Sequence, residues 1–180
     1  SSSDPYSAMS LTAVFSPIPL TPGMLSELSP MSERRSTIWP GSIPQRSDMQ
    51  PPIAVAPYHY LCDGQLSHCV PQPGTESRLD AQGDKIMSRL VYRKIGRQES
   101  LVAVHSVNTT AGGGGVRWYE FRVGVDRDVR LHQQGTYALG GSFRWMASPA
   151  IDRKGNIAIG YSFGGTPDFA GQRFAGRLAG

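Results

Sequence analysis

Three stretches of the chain have residue types and spacing that bear on chemistry. Gly160-Tyr161-Ser162-Phe163-Gly164 has the form G-x-S-x-G. A nucleophile elbow needs that serine on a strand-to-helix turn, followed later in the chain by an acid and a histidine. Here Gly165-Thr166-Pro167 follows, and His59, His68, His105 and His132 all precede Ser162. The serine reads as an ordinary strand residue. Gly112 to Gly115 lacks the Gly-Lys-Ser/Thr ending of a phosphate loop and reads as a hairpin connection. Cys62 and Cys69 enclose six residues in CDGQLSHC. A disulfide is the first reading, implying an oxidising compartment. Free thiols come next. Last is zinc held through His59-x2-Cys62-x5-His68-Cys69, a poor match to the closely paired cysteines of structural zinc sites. No metal or other cofactor is expected.

The elements that would position such residues are strands. Leu101 to Val107 is a short apolar run suited to burial on both faces. Val116 to Arg122 (VRWYEFR) is rich in aromatic residues, as strands prefer. A gapless offset of 56 residues (173 − 117) lays this region on a later one. Arg117 meets Arg173, Trp118 meets Phe174, His105 meets Tyr161, Ser106 meets Ser162 and Ile95 meets Ile151. The turn Gly96–Ser100 falls on Asp152–Asn156. A unit of three or four antiparallel strands repeated at this spacing is about the size of a propeller blade.

The fold expected is therefore all-β, with antiparallel four-stranded blades of a partial β-propeller over residues 53–180. The blade-like units span about 85–135 and 141–178. Residues 1–52 form an irregular Pro/Ser-rich segment with one strand, Met9 to Phe15, which is also the available donor for the fourth strand of the second unit. Ile53 to Tyr60 reads as an edge strand because of Pro57, and Lys85 to Ile95 as a strand, although local propensity also allows a helix over 78–90. At 180 residues the chain is short for a whole propeller of about 40–50 residues per blade. We expect it to belong to a longer protein.

Net charge is +4, with no lysine-rich tract or basic helical face, so nucleic acid is not an expected partner. No apolar run approaches a membrane span. From Cys62 onward, CVPQPGT, RLDAQGDKIMSRLVYR, LVAVHSV, GVRWYEFR, QQGTY, RWMASPAIDRKGNIAIGYS and the final R-F-A-G-R resemble secreted bacterial β-propeller proteins of unassigned activity, loosely sialidase-like in fold. The resemblance covers about residues 53–177 and implies an extracellular location.

If it extended to a sialidase-like site, it would imply Arg117 and Arg173 on a substrate carboxylate and Tyr119 with Glu120 as the nucleophile pair. Neighbours on a strand point to opposite faces, however, so Tyr119 and Glu120 should not meet. Repeated arginines also suit a structural role in each unit. Trp118, Trp145 and Phe174 suit packing between sheets, and His105 suits the core. The favoured function is an extracellular binding or scaffold module for a glycan or a cell-surface protein. Its candidate ligand residues are Arg117, Tyr119, Tyr137, Trp145, Tyr161 and Arg173, with the loop Gly164–Gly171 beside them. The alternative is a sialidase-like glycoside hydrolase. Asn108-Thr109-Thr110 has the form of a glycosylation sequon.

Overall fold

The computed structural model describes residues 52–87 and 89–179. The Met9–Phe15 strand and nearly all of the Pro/Ser-rich segment lie outside the described residues. Within them the protein is all-β and antiparallel, and Leu61–Gly64 forms a tight turn with Cys62 and Asp63 in the left-handed region. A short hairpin, β1 (Val70–Gln72) and β2 (Thr75–Leu79), precedes two larger sheets. The first larger sheet is a four-stranded meander of β3 (Val91–Ile95), β4 (Gln98–Asn108), β5 (Gly114–Val123) and β6 (Val129–Tyr137). The second is a three-stranded meander of β7 (Phe143–Ile151), β8 (Ile157–Gly164) and β9 (Gly171–Arg177).

The 56-residue offset is visible in strand register. His105 pairs with Arg117 across β4 and β5, and Tyr161 pairs with Arg173 across β8 and β9. Val102 opposite Glu120 likewise becomes Ala158 opposite Gly176. The preceding hairpins differ. Ile95 faces Gln98 across a two-residue turn, whereas Ile151 faces Ile157 across the five residues Asp152–Asn156. Gln98 to Ser100, expected in a turn, thus open β4. The longer turn is closed by its own aspartate. Asp152 Oδ1 accepts from the Lys154 and Asn156 backbone N–H groups at 2.7 and 2.9 Å, and Oδ2 accepts from Asn156 Nδ2 at 2.8 Å. Gly155 supplies the left-handed position, at φ +88°.

Alternation along β4 and β5 sends Val102, Val104 and Val116 into a core shared with Ala147, Ile151, Ile157, Ile159, Tyr161 and Phe163 of the second sheet. The opposite face of β4 is buried too, at Ala103 and His105, as its apolar run predicts. The repeat exposes an asymmetry in this stacking. Val102, Val104 and Val116 correspond to Ala158, Gly160 and Gln172 on the outer face of the second sheet. Ile159, Tyr161 and Phe163 correspond to Ala103, His105 and Val107 on the far face of the first. The two sheets therefore stack head to tail, through unlike faces.

Two expected strands are reduced. Ile53–Tyr60 makes a single bridge, Tyr60 to Val107, because Pro57 has no N–H and the carbonyls of Ala56 and Pro57 are taken by Arg117. Lys85–Ile95 is a bridge at Ile86 to His105 followed by β3. The helix over 78–90 does not form: β2 runs to Leu79, and Ile86 and Met87 lie along β4, with Met87 N–H donating to the Val104 carbonyl at 2.9 Å.

Candidate functional site

The far face of the first sheet carries a histidine–tyrosine cluster. Register puts His105 opposite Arg117 and Ala103 opposite Tyr119, so His105, Arg117 and Tyr119 share one face. His105 Nε2 and the Tyr119 hydroxyl are 2.9 Å apart, with the rings stacked at 5.6 Å. Over them runs Ala56–Tyr60, held at several points. Arg117 donates to Thr136 Oγ1 at 2.8 Å and to the carbonyls of Ala56 and Pro57 at 2.9 and 3.3 Å. Gln134 Oε1 accepts from the Ala56 N–H at 3.1 Å, and the His59 carbonyl accepts from the Asn108 N–H at 2.9 Å.

So fixed, Tyr58 meets His105 edge-on at 4.5 Å and Tyr60 at 5.2 Å. A cavity of ≈ 260 Å³ opens beside this segment, lined among the described residues by Tyr58, His59, Tyr60 and Asp63. One of these, Asp63, belongs to the cysteine loop. Cys62 and Cys69 form a disulfide with Cα atoms 6.2 Å apart, so neither sulfur is free for zinc. Asn108 Oδ1 accepts from the Cys62 N–H at 2.9 Å, and Asn108 Nδ2 donates to Asp63 Oδ1 at 3.2 Å. The sequon asparagine thus braces the loop. Among the described residues no three metal-ligating side chains cluster.

The electrostatics of the cluster favour neutral groups. Burial, with a smaller push from the Arg117 charge, lowers the His105 pKa to about 4, against a weaker raising by the Ser106 backbone. Burial and the Tyr60 hydroxyl raise Tyr58, and burial raises Tyr119 against the opposing Arg117. At neutral pH this is an uncharged imidazole among phenols. Such a surface donates and accepts hydrogen bonds and stacks on apolar faces, and His105 itself is not poised to exchange a proton near pH 7.

The remaining candidates fall elsewhere. Tyr137 and Tyr161 meet at 5.6 Å where the two sheets adjoin. Beside them Arg144 donates to the Leu139 carbonyl at 2.8 Å, its guanidinium 5.7 Å from the Tyr137 ring centroid and 5.3 Å from that of Phe163. Burial raises the Tyr161 pKa, Tyr137 adds to this, and Arg144 opposes it. Arg173 is exposed, 3.4 Å from the Phe163 centroid. Trp145 is buried with Leu61, Cys69, Val70 and Ala81 against the disulfide loop. The structure thus brings Arg117 and Tyr119 together behind the cavity. Tyr137, at the end of β6 in the first sheet, meets Tyr161 of the second where the sheets adjoin, Arg173 pairs with Tyr161 across β8 and β9, and Trp145 lies in a core.

Tyr119 and Glu120 do point apart. The Tyr119 hydroxyl meets His105, while the Glu120 carboxylate accepts from Gln133 Nε2 and pairs with Arg122 at 2.8 Å. Ser162 lies in β8, opposite Gln172 and Trp145. The sequence marks Asn108 only as a sequon, and for Tyr58 and Tyr60 it offers no more than the Tyr-x-Tyr spacing just before the first cysteine. Compared with known protein families, characterised proteins and solved structures, the chain matches none. No helix among the described residues is long and apolar enough to cross a membrane.

Proposed function

We propose that this chain is an extracellular β-propeller module that binds a glycan in the cavity beside Tyr58, His59, Tyr60 and Asp63. The observation that carries the binding reading is this cavity itself. Two tyrosines, backed by His105 and held by the Arg117 clamp on their segment, line it beside the Asp63 carboxylate. Sugars combine apolar C–H faces with dense hydroxyls, and rigid aromatic walls with a few polar groups suit both. Support for the propeller architecture comes from the head-to-tail stacking of two register-matched meanders. Unlike-face stacking leaves each new sheet with a face for the next, as successive blades require. The disulfide fits an oxidising, extracellular setting.

In this reading Arg117 and Tyr119 are positioning residues. The competing reading, a sialidase-like hydrolase, needs Arg117 to engage a substrate carboxylate. Its terminal nitrogens are instead engaged by Thr136, Ala56 and Pro57.

A glycan array beside a panel of fluorogenic glycosides, sialosides included, separates the two. The binding reading expects capture of specific glycans, lost at least roughly tenfold in Tyr60→Ala as one stacking contact is removed, with no turnover. Turnover of a sialoside would establish the hydrolase instead, and absence of any glycan capture would remove the binding reading.

A further inference from the structure

The two meanders share register yet end differently. In the first sheet the outer edge of β5 carries β6; in the second, among the described residues, the equivalent edge of β9 carries no strand. Nearly every β9 residue is exposed, Phe174 at 78%. An antiparallel strand with one unpaired side presents alternate N–H and C=O groups ready for a partner. We infer that the free edge of β9 is a strand-acceptor site. Its occupant is an antiparallel segment with a hydroxyl residue, threonine or serine, opposite Arg173 and a side chain larger than glycine opposite Phe174.

The register supplies that chemistry. Across β5 and β6, Thr136 stands opposite Arg117, with its Oγ1 2.8 Å from the guanidinium, and Gly135 stands opposite Trp118. The 56-residue offset converts these into positions opposite Arg173 and Phe174. Among the described residues Arg173 has no hydroxyl partner there, and it lies over the Phe163 ring. A threonine on an added strand would occupy the place that Thr136 holds beside Arg117.

The neighbouring position follows a different rule. Gly135 is glycine because Trp118 leans outward: a Cβ there would lie 2.9 Å from Trp118 Nε1. In the second sheet the glycine sits on the other side. Phe174 leans inward over Gly160, whose Cβ position is 3.0 Å from the ring. The outer position opposite Phe174 is thus open to a side chain that would cover the exposed ring. The same change, Gly135→Val, should crowd sheet one when made in the protein and favour binding to sheet two when made in a separate strand. This inference rests on the repeat and does not depend on glycan binding.

The test adds a peptide with the Val129–Tyr137 sequence to the full chain and follows amide exchange residue by residue. With peptide at ten times its Kd, the outward β9 amides should exchange about tenfold more slowly. A peptide carrying Gly135→Val should bind at least as tightly. One carrying Thr136→Val should bind roughly tenfold more weakly, having lost a hydrogen bond to a charged group. No β9 protection, protection confined to the β6 edge, or indifference to Thr136→Val would each overturn the inference. Protection that appears without peptide and grows with protein concentration would make the occupant a second copy and overturn the occupant proposed here.

Discussion

Arg117 and Arg173 occupy the same place in two register-matched meanders, yet their surroundings predict very different losses on truncation. Arg117 is nearly buried and donates to Thr136 Oγ1, the Ala56 carbonyl and the Pro57 carbonyl. Hydrogen bonds to a charged group contribute about 1.5–3 kcal/mol each. The two short ones therefore amount to about 3–6 kcal/mol, and the 3.3 Å contact adds little. Arg117 Nε is buried without a partner, so truncation also relieves some desolvation. The net expectation for Arg117→Ala is a loss of about 2–4 kcal/mol.

Among the described residues the Arg173 side chain has its ring contact with Phe163 alone, and an exposed cation–π pair contributes about 0.5–1 kcal/mol. Arg173→Ala should therefore cost less than about 1 kcal/mol. Urea unfolding of both variants, followed by intrinsic fluorescence, gives the comparison at unchanged slope. Arg117→Lys should recover only part of the loss, because an ammonium cannot reproduce the guanidinium fork. Equal losses at the two arginines, or a loss below about 1 kcal/mol at Arg117, would refute the clamp on Ala56–Tyr60.

Three further outcomes are expected. Between pH 6.5 and about 4 the protein should lose stability as pH falls. His105 stays neutral in the fold to about 4 while the unfolded chain takes up its proton below 6.5, so the contribution is complete above 6.5. The full span is about 3 kcal/mol, and pH-dependent melting of wild type and His105→Gln checks it, the variant losing this dependence. Reducing Cys62–Cys69, a closure of seven residues in sequence separation, should cost about 2.5 kcal/mol on loop entropy, read as a lowered urea midpoint with dithiothreitol. Gly135→Val in the protein should destabilise it by about 1–3 kcal/mol through the crowding of Trp118, measured by the same titration.

The strands of the two larger sheets were legible in the sequence because apolar and aromatic runs and a fixed offset act through backbone geometry, whereas the β1–β2 hairpin was not. The apolar run Leu101–Val107 and the aromatic run from Val116 needed no further information. The site was less legible. Ile53–Tyr60 has strand composition, but its backbone groups are taken by Arg117, Gln134 and Asn108, partners about 50–80 positions away in sequence. His105 was read as a core residue, and it is buried; its role as a backing for Tyr58 arises only when the segment folds over it. The tilt of Trp118 outward and of Phe174 inward follows from Val104 and Gly160 opposite them, a difference the repeat alignment does not weigh.

The most direct measurement of the central claim is amide chemical-shift mapping of the full chain while a glycan captured on the array is titrated in. The account predicts the largest shifts at Tyr58–Asp63 and Asn108, with smaller ones at His105 and Arg117. Shifts centred on Tyr137, Tyr161 and Arg173, with Tyr58–Asp63 unmoved, would contradict it.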